Sequence, residues 1–304
     1  MDIRDLRYFA ELVRAQSFTL AAERLHVTQP TISKMIRALE EEVGSPLLRR
    51  EGRQLQLTDA GRVVHEHGAQ VLAAYGALRH ALADLETLAR GELTVGIPPM
   101  GGPLFTALIA TYRKRYPGIE LKLFEQGAKG LEMALREGRV EVCALLQPAD
   151  TEAFGLLPVL RDPLWLVAPA DSRWRARRSV ELAELSAEPF VLYGESLALN
   201  GIVQAACREA GFEPAVAGRS GHWDFIAAMV GAGLGIALLP RLYCEKLDPQ
   251  AFTFAQIVPE LPWDMALAWR RNGYLSRAAR AWLDTAREVL PAMHADRLRP
   301  PRRG

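Results

Sequence analysis

Thr19-Leu-Ala-Ala-Glu-Arg-Leu25-His-Val-Thr28-Gln-Pro-Thr-Ile-Ser-Lys-Met-Ile-Arg-Ala-Leu-Glu-Glu-Glu-Val43 is the stretch on which the reading of the whole chain turns. Its pattern predicts two helices joined by a tight turn. Thr19 is a hydroxyl N-cap for the first, and Ala21, Ala22 and Leu25 let another helix cross closely. Thr28 caps the second, with Pro30 in its first turn, where a missing N–H costs little. Ile32, Ile36, Leu39 and Val43 recur at i, i+4, i+7 and i+11, which makes one face apolar. Pro30, Thr31, Lys34, Arg37 and Ala38 occupy the other face, and no acid lies between Arg24 and Leu39. Long acidic side chains would be repelled by phosphate, so a small, polar, cationic face of this kind suits a DNA major groove. Glu40, Glu41 and Glu42 stand at the C-terminal end against the helix dipole, which leaves only the N-terminal half fit to meet DNA.

The flanks extend this unit. Residues 3–16 predict an amphipathic helix with Ile3, Leu6, Phe9, Ala10 and Val13 on its core face. Gly44 is a natural left-handed cap and Pro46 stops the helix from continuing. From Arg49 to Leu57 polar and apolar residues alternate around Gly52, the pattern of a short two-stranded wing with Arg53 near its tip. Val64, Gly68, Val71, Tyr75, Leu78, Leu82, Leu85 and Ala89 follow 4-3-4-3 spacing in a stretch without proline, which predicts a coiled-coil seam. Thirty-odd helical residues span about 45 Å, far more than the first domain needs, so the seam implies a partner helix from a second copy. His65 and His67, two apart, face different sides and do not make a metal pair.

Ala22-Glu-Arg-Leu25-His-Val-Thr-Gln29-Pro-Thr-Ile-Ser33-Lys-Met-Ile-Arg37-Ala-Leu-Glu40, then Val43-Gly44-Ser-Pro46-Leu47-Leu-Arg49-Arg50 and Leu57-Thr-Asp-Ala-Gly61, resemble the winged helix-turn-helix of LysR-type transcriptional regulators. The resemblance implies that Gln29, Pro30, Thr31, Ser33, Lys34 and Arg37 face DNA from the second helix. It also implies that the wing arginine Arg53 reaches the minor groove or its phosphates, while Arg49 and Arg50 approach the backbone. The expected assembly is a homodimer through Val71, Tyr75, Leu78, Leu82 and Leu85, then a dimer of dimers, on double-stranded DNA carrying an inverted repeat.

After Arg90-Gly91 the pattern changes. Leu93–Ile97, Ile119–Phe124 and Val140–Leu146 read as strands, separated by helices at Leu104–Tyr116 and Ala128–Glu137, an order that argues for a parallel sheet covered by helices. Leu164–Ala168, Val180–Leu185, Phe190–Tyr193, a helix from about Leu197 to Ala210, Trp223–Val230 and the strand Leu234–Leu239 form a second set. Met265–Trp269 and the helix Ser276–Leu290 return to the first. The fold class expected is therefore multidomain: winged helix-turn-helix at 1–58, linker and dimerisation helix at 59–89, and at 90–292 a two-lobed α/β domain. Its lobes cover about 92–161 with 266–292, and about 162–265; residues 293–304 form a basic tail. By the same resemblance the two lobes are shaped like a periplasmic solute-binding protein and hold a small-molecule effector.

Ligands of open α/β sheets sit beyond the carboxyl ends of strands, where helix N-termini favour anions. That selects Pro99, Met100, Gly101 and Gly102 in one loop, Gly127, Ala128 and Lys129 in a second, Gln147 in a third, and Ser196 and Leu197 in a fourth. Such loops also occur as plain turns. The family's usual serine or threonine after the first strand of this region is absent, so hydroxyl recognition is not carried over. With Lys129 as a cation and little to read hydroxyls, a small organic anion is the expected effector.

The 304 residues are 49% apolar with a formal net charge of +1, the composition of an ordinary globular protein, and local cations are compatible with DNA whatever the net charge. Cys143, Cys207 and Cys244 lack metal spacing and read as core thiols. No signal peptide pattern and no apolar run near about 18 residues appears, so a cytoplasmic protein without a membrane partner is expected. Gly231-Ala-Gly-Leu-Gly235 precedes a strand rather than following one, the reverse of a dinucleotide loop, and reads as a site of close packing. No catalytic motif or cofactor signature is present, which disfavours an α/β enzyme, and an exported solute-binding protein would have no use for the helix-turn-helix.

Overall fold

The computed structural model describes residues 1–51, 54–83, 91–195 and 197–295. The chain opens with α1 (Ile3–Ala15), α2 (Phe18–Leu25) and α3 (Gln29–Val43), then the hairpin β1 (Leu48–Glu51) and β2 (Gln54–Leu57), then the long helix α4 (Asp59–Ala83). Asp2 starts α1 with a capping box, its carboxylate accepting from the amides of Arg4 at 2.6 Å and Asp5 at 3.0 Å. The core face of α1 is Leu6, Tyr8, Phe9 and Leu12, so Ile3, Ala10 and Val13 flank the core rather than filling it. The cap of α2 is Ser17, whose hydroxyl accepts from Leu20 N at 3.4 Å, and Thr19 lies inside the helix. Two hydroxyls stand two residues apart there, and only the position one residue before the first helical turn can reach its N–H groups. Of the apolar stripe on α3, Ile32, Ile36 and Leu39 are buried, but Val43 is exposed because the chain turns away at Gly44, which takes the left-handed φ of +74°.

The second part begins with β3 (Gly91–Ile97), a one-turn 3-10 helix at Pro99–Gly101, α5 (Gly102–Arg115), β4 (Ile119–Glu125), α6 (Ala128–Arg136), β5 (Val142–Leu146) and β6 (Phe154–Leu160). It continues with β7 (Leu164–Pro169), β8 (Ser179–Glu181), β9 (Pro189–Tyr193), α7 (Ala198–Glu209), β10 (Ala215–Ser220) and α8 (Trp223–Gly231). It ends with β11 (Ala237–Pro240), the single turn α9 (Arg241–Cys244), β12 (Phe252–Val258), β13 (Met265–Arg270) and α10 (Arg277–Ala295).

One lobe is a five-stranded sheet of order β4-β3-β5-β13-β6; the other is a four-stranded sheet of order β11-β7-β12-β8 with the parallel pair β9–β10 beside it. The expected parallel sheet holds for β4, β3 and β5, but β13 runs antiparallel to both its neighbours. It enters directly from the other lobe, without the crossover helix that a parallel neighbour needs. Pro158, which cannot donate to a ladder, sits in β6 at the sheet's edge, where that costs nothing. In the second lobe Leu182–Leu185 is a 3-10 turn after the short β8, and the strand expected from Leu234 begins only at Ala237. Gly235 carries a φ of +154°, and a Cβ there would stand 2.1 Å from Pro189 O, so the glycine run serves close packing.

The lobes are joined by two crossing segments. Leu164 N donates to Leu261 O at 2.8 Å and Trp263 N to Asp162 O at 2.7 Å. The buried Asp162 carboxylate accepts from Leu242 N at 2.9 Å and Arg241 Nε at 3.3 Å, and burial pushes its carboxyl up from the ordinary value. In the first lobe α10 packs on α5, where the Tyr112 hydroxyl donates to Ala278 O at 2.9 Å and the Tyr112 ring meets Trp282 edge-on at 5.2 Å.

Candidate functional site

The first site is the exposed side of α3. Gln29, Pro30, Lys34 and Arg37 are exposed, and Thr31 and Ser33 are half-buried beside them. The amide of Gln29 donates from Nε2 to Ser33 Oγ at 2.8 Å, and the hydroxyls of Thr28 and Thr31 share a hydrogen bond of 2.8 Å. Thr28 therefore holds the N-cap backbone position without its side chain capping the helix. These bonds pre-position short polar groups on the turn that faces away from the core, with two unencumbered cations one and two turns further on.

The wing is fixed to this face by a residue whose role the sequence did not disclose. Glu40 Oε1 accepts from Leu47 N at 2.8 Å and Leu48 N at 3.3 Å, so the acid on the last turns of α3 anchors the entry to β1. Below it Thr58 Oγ1 donates to Pro46 O at 2.6 Å and accepts from Gly61 N at 2.9 Å, and a Cβ on Gly61 would stand 2.0 Å from Leu47 O. The resulting hairpin pairs Arg49 with Gln56 and Arg50 with Leu55; the Arg49 guanidinium is exposed and donates to Gln56 Oε1 at 3.0 Å. Arg53 lies outside the described residues.

Helix α4 has two unlike faces. Val64 and Gly68 of the expected seam pack inward on the first domain, Gly68 against Leu6, while Val71, Tyr75, Leu78 and Leu82 are 46–57% exposed. The split arises because the first turns of α4 complete the core of the first domain and only the later ones stand clear of it. Leu85 lies outside the described residues. Ala73, on another face, touches the α6 lobe at Gly138, whose φ of +69° and lack of a Cβ permit the approach. His65 faces Glu137 there at 3.9 Å and Phe9 on its own side, whereas His67 is exposed.

The third site lies between the lobes. Pro99, Met100, Gly127, Ala128 and Leu197 border a narrow apolar pocket, with Ala144, Leu146, Trp263 and Met265 among its other walls. Three of the four selected loops therefore converge. Several selected residues do not belong to it: Gly101 is buried beneath, against Ile97 and Phe105; Gly102 and Lys129 are exposed; and Gln147 is outside the lining. Ser196 lies outside the described residues. Lys129 is turned to solvent because it falls on the outer side of the first turn of α6, so the cation expected for an anionic ligand is not in the wall. The three cysteines are buried and free. Burial pushes the Cys207 thiol up to about 11 and raises Cys143 and Cys244 as well.

Two family models match this chain. Residues 3–62 match the bacterial regulatory helix-turn-helix of the lysR family, and residues 86–291 match the LysR substrate binding domain. The chain belongs to the LysR family of transcriptional regulators. This LysR-type regulator is 37% identical over 292 residues to the uncharacterised HTH-type transcriptional regulator YwbI of Bacillus subtilis, covering 95% of this chain and 97% of that one. It is 30% identical over 301 residues to the hydrogen peroxide-inducible genes activator of Dickeya chrysanthemi, with 98% of each chain covered. A full-length OxyR variant from Pseudomonas aeruginosa superposes with a TM-score of 0.69 at 27% identity, covering 94% of this chain and 95% of that one. The LysR-type regulator is thus an effector-modulated DNA-binding protein and not an enzyme. Among its described residues no helix is long and apolar enough to cross a membrane.

Proposed function

We propose that this regulator binds an inverted repeat in the cytoplasm as a dimer, and at promoters as a dimer of dimers, with effector binding between the lobes altering how the paired recognition helices are placed. Gln29, Thr31 and Ser33 read base edges, while Lys34, Arg37, Arg49, Arg50 and Arg53 meet phosphate. The carrying observation is the pairing of two exposed surfaces: the acid-free turns of α3, and the apolar stripe Val71, Tyr75, Leu78, Leu82 on the α4 helix that leads out of the same domain. An apolar stripe at this spacing is matched by a second copy of itself, and a two-fold pair of α3 helices demands a two-fold DNA site. The peroxide response named for the Dickeya relative is not extended to this chain, because buried thiols with raised pKa supply little thiolate. Footprinting on the DNA upstream of the chain's own gene tests the reading. Protection of two half-sites about one or two helical turns apart supports it, and binding without any symmetric protection refutes it.

A further inference from the structure

Where the first lobe meets the first domain, shape and charge pull in opposite directions. Residues 137–139 are wound on the last turn of α6, with Gly138 N donating to Leu135 O at 3.1 Å and Arg139 N to Ala134 O at 2.9 Å, so they move with the lobe. They are pressed against α4: an ideal Cβ on Gly138 would stand 2.9 Å from Ala73 Cα, and a residue without a Cβ takes the φ of +69° at little cost. His65, about 12 Å nearer the start of α4, puts Nε2 3.9 Å from Glu137 Oε1. That imidazole also meets the Phe9 ring edge-on at 6.5 Å, and Phe9 is a core residue of the first domain. A side chain rooted in the DNA-binding domain thus faces a carboxylate carried by the lobe.

Charge does not complete this fit. Glu137 Oε2 accepts from Arg139 Nε at 2.5 Å, and the Arg139 guanidinium lies over the Phe124 ring at 5.1 Å. Its Nη1 is buried and has no hydrogen-bond partner among the described residues. On α1, Glu11 is 7% exposed and already takes two guanidiniums, Arg14 at 2.7 Å and Arg24 at 3.3 Å. Burial, and next the neighbouring charge of Arg139, hold the Arg14 guanidinium below its ordinary value. Arg270, beside Gly138, has Glu141 to offset it. Two carboxylates, Glu11 and Glu137, are therefore left to serve three guanidiniums, Arg14, Arg24 and Arg139. A surplus of like charge and an unpaired buried donor both oppose a closed joint, and both are relieved when water enters it.

We propose that the turn 137–139 is a releasable latch, an internal contact that holds α4 and the DNA-binding domain to the first lobe of the same chain until movement of the lobe withdraws it. The inference rests on the reading that the effector alters how the recognition helices are placed, and it names the contact through which that happens. Close shape keeps the latch shut and incomplete charge lets it open, so the two states are near enough in free energy for a lobe movement to choose between them. Glu137 is the catch, because its carboxylate pairs with Arg139 and faces His65; removing that charge enlarges the surplus and opens the joint.

The test uses the full chain carrying Ala73→Cys with Gly138→Cys, whose Cβ atoms would stand 3.0 Å apart and need only ease to the roughly 3.5–4.5 Å of a disulfide. The native thiols are buried. The rate of intramolecular bridge formation reports how much of the time the latch is shut, and any strain at position 138 is common to every comparison. Adding Glu137→Gln should slow bridging at least about threefold, whereas Glu132→Gln, whose carboxylate pairs with Arg136 outside the joint, should leave the rate unchanged. With operator DNA, circular-permutation band shifts should give different bend angles for the bridged pair and for the reduced pair carrying Glu137→Gln. Failure of the cysteine pair to bridge, a bridging rate untouched by Glu137→Gln, or equal bends from those two forms each overturns the latch. The bridging arm needs no DNA, so a chain that bridges as expected but never binds symmetric DNA counts against the dimeric reading alone.

Discussion

Removing the Glu40 carboxylate sets two effects on DNA affinity against each other, and the structure decides the sign. By charge alone Glu40→Ala should tighten binding, since an acid on the DNA-binding domain repels phosphate. By geometry it should weaken binding, because Glu40 Oε1 holds Leu47 N at 2.8 Å and Leu48 N at 3.3 Å, and those amides begin the wing. A hydrogen bond to a charged group contributes about 1.5–3 kcal/mol, and Leu47 is fully buried, so its amide loses a partner that water cannot readily replace. At about 1.4 kcal/mol per tenfold, amide exchange at Leu47 and Leu48 should accelerate by roughly 10- to 150-fold. Glu40→Gln keeps an acceptor without the charge and should fall between. Mass-spectrometric exchange on peptides covering 44–58 measures the first effect, and fluorescence anisotropy with a cognate duplex measures the second. Weaker cognate binding together with faster exchange is expected. Tighter cognate binding with unchanged exchange would show that Glu40 acts only as a charge, and the anchoring role would be wrong.

Replacing Gln29 by Ala should cost about 1–3 kcal/mol on the cognate site and little on random DNA, whereas Lys34→Ala should weaken both and flatten the logarithmic salt slope by about 0.9; equal losses from both variants on both duplexes refute the division of roles. Leu78→Lys puts a charge into the exposed stripe of α4, so light scattering should find monomer where the unaltered chain is dimeric, and a dimer surviving the substitution places the interface elsewhere. Hydrogen peroxide at micromolar levels should leave the band shift unchanged: with the Cys207 thiol at about 11, roughly one molecule in ten thousand carries the thiolate at neutral pH, and alkylation should rise only as pH climbs towards that value. A rapid, peroxide-dependent shift at pH 7 contradicts the burial argument.

What the sequence disclosed was what depends on spacing. Ile32, Ile36 and Leu39 are one helical face in any environment, and Gly44 ends that helix because only a residue without a Cβ takes its φ easily. The places it misled are those where distant chain segments decide. Ser17 and Thr19 are equally good caps until the path of the preceding turn is known. Val64 and Gly68 continue the seam by spacing, yet the first domain claims them before a partner can. The strand β6 escaped notice because Pro158 argues against a strand everywhere except at an edge, and edges are a property of the sheet. In the pocket, loop position and glycine content located Met100, Ala128 and Leu197, but nothing local says that Lys129 is exposed or that Trp263 and Met265, more than a hundred residues away, line the same pocket. Glu40 was legible only as a misplaced acid against a helix dipole, and the amides that explain it belong to the next element.

The contact of Ala73 with Gly138 makes α4 a beam with a fulcrum. Fourteen residues separate Ala73 from the start of the helix at Asp59, about 21 Å at 1.5 Å per residue. A tilt of about 5° around that point carries the near end through about 2 Å, and α1 and α3 travel with it because Leu6 is seated on Gly68. Hydrogen bonds to base edges do not survive displacements of that size. A lobe movement that tilts α4 at Gly138 therefore needs no relay of side chains to reach the DNA: one stiff helix carries the tilt to its near end, and a glycine inserted into α4 between Asp59 and Ala73 should uncouple effector from operator while leaving each site able to bind.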